Sequence, residues 1–295
     1  MNHQNIVTSI SDKPHISEPV SGNPLSIGSG FNAKSFKYNQ FDNLLDPIVM
    51  VDHYRMTSPT FGEHPHAGMS AVSVLFEDST GIFNNKDSLG NDIDLKPGDA
   101  YWLKAGSGAI HDEKPTPGSK THGLQLFVNL PRNKKFDTPD SLHVKQKDMP
   151  IIIGKNARTR IVFGQSNGVK GASSPALPLT ILDTYFKDNG SFQHDIEADQ
   201  SCFIYAVDGD VLVNLGGEKF QLNHQQSIVI QTNLMEKVLT LSSQTQSHVV
   251  IIQGKPLRER FVQKGPFVMS TSDELDAVSK AYESGLFNPI THDVA

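Results

Sequence analysis

Gly62-Glu63-His64-Pro65-His66-Ala67-Gly68, taken with Gly108-Ala109-Ile110-His111-Asp112-Glu113, decides how this chain is read. Each piece carries two metal-type side chains at i and i+2. Side chains alternate between the two faces of a strand, so i and i+2 share a face. His64 and His66 then project together with Pro65 turned away. His111 and Glu113 project together with Asp112 turned away. If the two strands face each other across a barrel, three imidazoles and one carboxylate meet at one point. Three neutral nitrogens and one anionic oxygen suit a first-row divalent metal, whereas Ca²⁺ and Mg²⁺ favour all-oxygen shells. A lone His-x-His pair is usually just two surface histidines. A second i, i+2 pair, with both pairs set in glycine-rich turns at strand ends, makes a metal site an equally good reading.

The segments around these motifs read as strands. Ile48-Val49-Met50-Val51-Asp52-His53-Tyr54 is an apolar run of buried-strand length, entered through the turn signal Asp46-Pro47. His53 has no metal-type partner at i±2 and reads as a packed histidine or a support to the site. Ala71 to Phe76, Ala100 to Leu103 and Gly123 to Leu130 are further strands, separated by turns at Asp78 to Gly81, Asp87 to Asp92 and Pro97 to Asp99. Short strands with regular turns and no helical period indicate an antiparallel sandwich or barrel.

The chain has 295 residues, enough for two cores. Residues 1–24, with Pro14, Pro19 and Pro24, read as a flexible arm or surface strap. Residues 25–131 form the first domain, and the polar, aperiodic 132–150 reads as a linker whose Lys134-Lys135 pair is solvated. Residues 151–295 repeat the first domain weakly. Cys202 to Val207 with Asp208-Gly209-Asp210, then Ser227 to Ile230, then Ser247 to Gln253, echo strands of the first half. The site is not repeated, because His194, His224 and His248 stand singly and read as surface or core histidines. The chain closes with a helix. Thr271-Ser272-Asp273-Glu274 fits a capping box, Leu275, Val278 and Tyr282 share one face, and Gly285 stops it. From Asn288 the chain reads as a frayed tail.

With 37% hydrophobic residues and a net charge of -6, this is a globular chain not built to grip nucleic acid phosphates. No apolar run reaches the length of a membrane span, and the first residues lack a signal-peptide core. The single cysteine, Cys202, cannot form an internal disulfide, which fits a reducing compartment. Cytoplasm is the expected location, with no membrane and no direct nucleic acid partner.

The chain resembles the pirins, two-domain members of the cupin superfamily. The matching residues are Asp46-Pro47 with Asp52-His53, His64-Pro65-His66 with Gly68, Asp87-Ser88-Leu89-Gly90-Asn91, Pro97-Gly98-Asp99, Trp102, Ala105-Gly106 with Gly108, His111 with Glu113, and Gly123 to Leu126 with Val128-Asn129. Gly265 to Met269, Gly285 and Phe287 match in the second half. The resemblance implies an all-β fold of two antiparallel cupin (jelly-roll) barrels in tandem, with a short C-terminal helix. It also implies a metal, ferrous iron in the cell, held in the N-terminal barrel by His64, His66, His111 and Glu113. Zinc, nickel, manganese or copper can replace iron, because affinity alone does not select it.

The activity so implied is of the quercetin 2,3-dioxygenase type, which opens a flavonol ring and releases carbon monoxide. Glu113 is then also the catalytic group that accepts the flavonol hydroxyl proton. Met50, Trp102, Gln125 and Phe127 are expected to line the pocket. The alternative is an iron- or redox-dependent regulator acting through contact with a transcription factor or metabolic enzyme. The chain departs from the family in having Ala67 where pirins usually carry arginine, Ser70 where they carry glutamate, and Asn85 where they often carry histidine. Loss of the arginine and glutamate predicts a roomier, less charged vestibule and a weaker flavonol activity.

Overall fold

Residues 13–290 are described by the computed structural model. They form two antiparallel β-barrels followed by the helix Ser272–Glu283. The N-terminal barrel has a seven-stranded sheet in the order Asp140–Val144, Ala100–Lys104, Met69–Leu75, Thr121–Asn129, Ile48–Met56, Phe31–Lys37 and Asn23–Ile27. A four-stranded sheet completes it, ordered His64–His66, Ala109–Pro115, Phe83–Asp87 and Asp92–Leu95. The C-terminal barrel is built on a ten-stranded sheet in which Ser247–Gly254 lies between Ser201–Asp208 and Leu179–Ile196.

Met69–Leu75 explains how the barrels join. All its residues are buried, although alternation sends them to two different faces. Val72 and Val74 enter a core shared by the two barrels, with Phe36, Trp102, Phe163, Phe203 and Ile252. Ser73 turns the other way, into its own barrel, where it donates to Glu113. The strand therefore reads as a nearly continuous apolar run because both of its faces are covered. A separate cluster, including Leu182, Phe186, Val213, Leu241 and Ile251, packs the interior of the C-terminal barrel. That packing is the physical counterpart of the single histidines in the second half. Among the described residues, the metal-type cluster found is His64, His66 and His111 in the first barrel.

Polar groups also cross the interface. Arg160 is fully buried, pairs with Asp183, and donates from Nη1 to the Gly98 carbonyl of the first barrel at 2.8 Å. Asp183 also bonds His248, and Arg160 together with the His248 bond holds its carboxyl below the usual range against the opposing effect of burial. Removing one member would leave the other charge buried and unpaired, at a cost of about 3–5 kcal/mol.

Several expectations are corrected by the fold. The arm is not loose from residue 15 onward: His15–Ile16 and Val20–Ser21 pair with Gln226–Gln231 of the second barrel. An open sheet edge is thereby covered. The earlier part of the arm, residues 1–12, and the tail from 291 lie outside the described residues. The stretch 132–150 contains the strand Asp140–Val144, which extends the first barrel's sheet alongside Ala100–Lys104. Lys135 is not solvated. It is 1% exposed, and its Nζ donates to Asn129 Oδ1 and to the carbonyls of Gly68 and Val268 at 2.6, 3.0 and 2.8 Å. Trp102 does not line a pocket. It lies opposite Val72 in the ladder, so it shares that residue's face and packs on Phe163 with centroids 5.2 Å apart.

Candidate metal centre

His64 and His66 come from a three-residue strand laid antiparallel beside Ala109–Pro115, with His64 opposite His111 and His66 opposite Ala109. Pro65 turns outward between them, as alternation requires. His111 Nε2 lies 2.9 Å from His64 Nε2 and 3.0 Å from His66 Nε2. Two nitrogens on perpendicular bonds of about 2.1 Å to a metal would sit about 3.0 Å apart. His64 Nδ1 donates to the Gly62 carbonyl at 2.8 Å, which fixes the tautomer and leaves the Nε2 lone pair facing the triad.

Burial is the main cause that holds all three imidazoles neutral. It lowers His64, brings His66 to about 3 with help from neighbouring His64, and takes His111 well below its ordinary value. One hydrogen per neutral ring cannot satisfy three converging nitrogens in pairs, whereas one cation accepts all three lone pairs. The donor set therefore fits a first-row metal.

Glu113 is buried in the same barrel, with Oε2 3.9 Å from His111 Nδ1. It lies outside the tight cluster formed by the histidines. Its Oε1 accepts from Ser73 Oγ at 2.5 Å, and Ser73 Oγ lies 2.8 Å from Gln125 Oε1. A hydroxyl has one hydrogen for these two contacts. Either Gln125 presents its amide N–H to Ser73, or Glu113 carries the proton. Burial pushes Glu113 up to about 7, against the pull of Ser73. Asp112 faces away, bonded to Lys114 Nζ at 2.5 Å.

His64, His66 and Glu113 line a cavity of about 360 Å³. Its walls include Phe31, Met50, Tyr54, Phe61, Phe83 and Phe127, with Gly265 and Pro266 from the C-terminal segment. Met50, Gln125 and Phe127 are thus where the sequence placed them, and Phe127 stands edge-on to His66 at 5.2 Å. His53 is not in the cavity. It points to the inter-barrel side, bonded to Tyr205 and His122. Asp52, which lines the cavity, and Ser73, which supports Glu113, are polar groups that pattern reading missed, since a single polar letter in a strand has no period.

Ala67 and Ser70 do not form a vestibule. Gly68 has φ +70, which breaks the strand after His66 and reverses the facing of the residues beyond it. A Cβ at Gly68 would stand 2.0 Å from the Val268 carbonyl, so only glycine allows that close approach. Ala67 is fully buried under Phe267, Leu275 and Phe287 of the C-terminal segment. Ser70 turns to the same side as Val72 and Val74, away from the histidines. Asn85 lies opposite Glu113 in the ladder, fully buried, with both ends of its amide unpartnered.

A family model described as Pirin matches residues 23–128, and one described as the Pirin C-terminal cupin domain matches 181–288. Pirin of Rattus norvegicus is 31% identical over 234 residues, 79% of each chain. The crystal structure of a quercetin 2,3-dioxygenase from Acinetobacter baumannii superposes with a TM-score of 0.83 at 25% identity, covering 94% of this chain and 99% of that one. The bacterial pirin YhhW from Escherichia coli, solved in complex with nickel(II), has the same fold, with a TM-score of 0.62 at 15% identity over 83% of this chain and all of its own.

Proposed function

Because this chain belongs to the pirin family, we propose that it is a metal-dependent dioxygenase of the quercetin 2,3-dioxygenase type, using iron on a flavonol or related enolate-type substrate. The observation that carries this reading is the convergence of three imidazole nitrogens, with a buried carboxylate beside them, on the wall of an apolar, aromatic-lined cavity. His64, His66 and His111 would hold the metal, with Glu113 as the remaining donor. When bound, the metal supplies a Lewis-acidic, redox-capable centre for dioxygen and the ionised substrate.

The rest falls to the chain's own groups. Phe31, Tyr54, Phe83 and Phe127 give a flat ring system an apolar slot that excludes water. Glu113 accepts the hydroxyl proton of the substrate, and Ser73 with Gln125 keeps its carboxylate in place for that transfer. Both oxygen atoms of dioxygen enter the product, the ring opens, and one carbon leaves as carbon monoxide. Similarity of the solved dioxygenase at 25% identity supports the reaction type.

The test is oxygen uptake and carbon monoxide release by the iron-loaded protein with a panel of flavonols. Turnover is expected, and Glu113→Gln should lower it by about a hundredfold or more. Iron-loaded protein that consumes no oxygen with any flavonol, yet captures a protein partner in one redox state only, would replace this reading with the regulatory one.

A further inference from the structure

One rung of the seven-stranded sheet crosses the cavity wall. Ser73 lies opposite Gln125, Gln125 opposite Asp52, and Asp52 opposite Ser35. Ser73 and Gln125 serve Glu113. Asp52 does not. It lines the cavity, it is only 7% exposed, and its Oδ1 has no hydrogen-bond partner. Its neighbours on the same strand face, Met50, Tyr54 and Met56, are largely apolar. A carboxyl oxygen held without a partner in such surroundings is costly, and native sites with this feature have a specific reason for it. Adjacent strands lie about 4.8 Å apart, so Asp52 is about 10 Å along the rung from Ser73.

We infer that Asp52 is the second polar anchor of the cavity, selecting a flat aromatic ligand that carries one hydroxyl at the Ser73–Glu113 pair and another at Asp52, about two strand spacings along the rung from Ser73. This deepens the reading of the cavity as the substrate site and rests on it. A hydroxyl suits the position because it both donates and accepts, so it satisfies Oδ1 whichever protonation state the carboxyl adopts. The aromatic walls fit the body of the ligand and the two ends of the rung fix its orientation. Affinity for a ligand with both hydroxyls should exceed that for the same ligand with one, by about tenfold or more.

The test uses 4,4′-dihydroxybiphenyl and 4-hydroxybiphenyl, which have no flavonol ring to open. Their binding to the metal-loaded protein is measured by calorimetry without oxygen, for wild type, Asp52→Ala and Asp52→Asn. The diol is expected to bind wild type about tenfold tighter than the mono-hydroxy compound. Asp52→Ala should erase that difference while leaving the mono-hydroxy affinity and the metal content unchanged, and Asp52→Asn should restore part of it. The thermal midpoint of ligand-free Asp52→Ala should change little, since the unpartnered Oδ1 is removed together with the carboxyl's bond to Ser35. A wild type that does not prefer the diol, or binds neither probe, overturns the inference, as does a preference that survives in Asp52→Ala. Failure of the oxygenase reading would appear separately, as absent oxygen uptake with these affinities intact.

Discussion

At His64 the ring is set by one hydrogen bond, from Nδ1 to the Gly62 carbonyl, and its remaining lone pair faces His111. Each ligand position is therefore a test of strand alternation. His64→Ala and His111→Ala should each lower metal content at least tenfold, while Asp112→Ala, whose side chain faces Lys114 on the other side, should keep it; metal analysis of the purified variants decides. Protons compete with metal only where the imidazoles accept them. Burial lowers all three, so metal should be retained well below pH 6.5, the ordinary histidine value, and loss with a midpoint at or above that value would contradict the buried geometry. Asn85→Leu removes two buried unpartnered groups and should leave the melting temperature unchanged or higher, whereas a fall of more than about 5 °C would mean that Asn85 is paired in solution. The His-x-His and His-x-Glu spacings were legible because two residues repeated the strand period. Ser73, Asp52 and the facing of Ser70 were not, since no local pattern marks a single polar residue or announces the positive φ at Gly68.

Among the elements, the C-terminal segment depends on the first barrel as much as on the second. Val262–Lys264 and Phe267–Met269 form a hairpin whose tip, Gly265 and Pro266, lines the cavity. Phe267 bridges Ala67 in parallel, and the helix Ser272–Glu283 packs over both. The helix was readable from its letters: Thr271 accepts from the Glu274 N–H at 3.2 Å, and Leu275 and Val278 are buried. The seating of the hairpin beside Gly68 was not, because Lys135, a residue whose type is ordinarily solvated, bridges the Gly68 and Val268 carbonyls. Burial brings the Lys135 ammonium down to about 8, so it remains charged at neutral pH and fills three acceptors. Lys135→Met should cost about 2–4 kcal/mol in chemical denaturation and raise hydrogen exchange in residues 262–283, because the Gly68 and Val268 carbonyls lose their shared donor. Unchanged exchange there would show that the hairpin is held by apolar contacts alone. The strands of the second half were found where they are apolar and short. Ile151–Phe163 and Leu179–Ile196 were missed, since long polar stretches and the turn of the backbone at Asn189, φ 56, hide their alternation.

For the molecule as one unit, two barrels share a core, and a hydrogen-bond chain crosses it. Tyr205 Oη lies 2.6 Å from His53 Nδ1, His53 Nε2 lies 2.7 Å from His122 Nε2, and His122 Nδ1–H donates to Asp78 at 2.7 Å. Burial, reinforced by His122, lowers His53 to about 3. Between about pH 6.5 and that value the unfolded chain binds a proton that the folded one refuses. Stability is therefore full above that window and falls as the pH drops through it, by roughly 2–3 kcal/mol from His53 alone near pH 4.5. Urea titrations across this range should show the slope, and His53→Gln should be less stable at neutral pH but shallower in its acid dependence; an equal slope would place the acid sensitivity elsewhere. The tandem-barrel plan was legible from repeated strands and turns, while the inter-barrel polar chain was not, because its members are scattered over 152 positions from His53 to Tyr205. The centre itself is tested most directly by an anomalous difference map from crystals of the iron-loaded protein, collected at the iron edge. One peak per chain, bounded by the Nε2 atoms of His64, His66 and His111 with Glu113 beside it, is the predicted result. A peak in the C-terminal barrel, or none at the histidines in protein that carries stoichiometric iron, would contradict it.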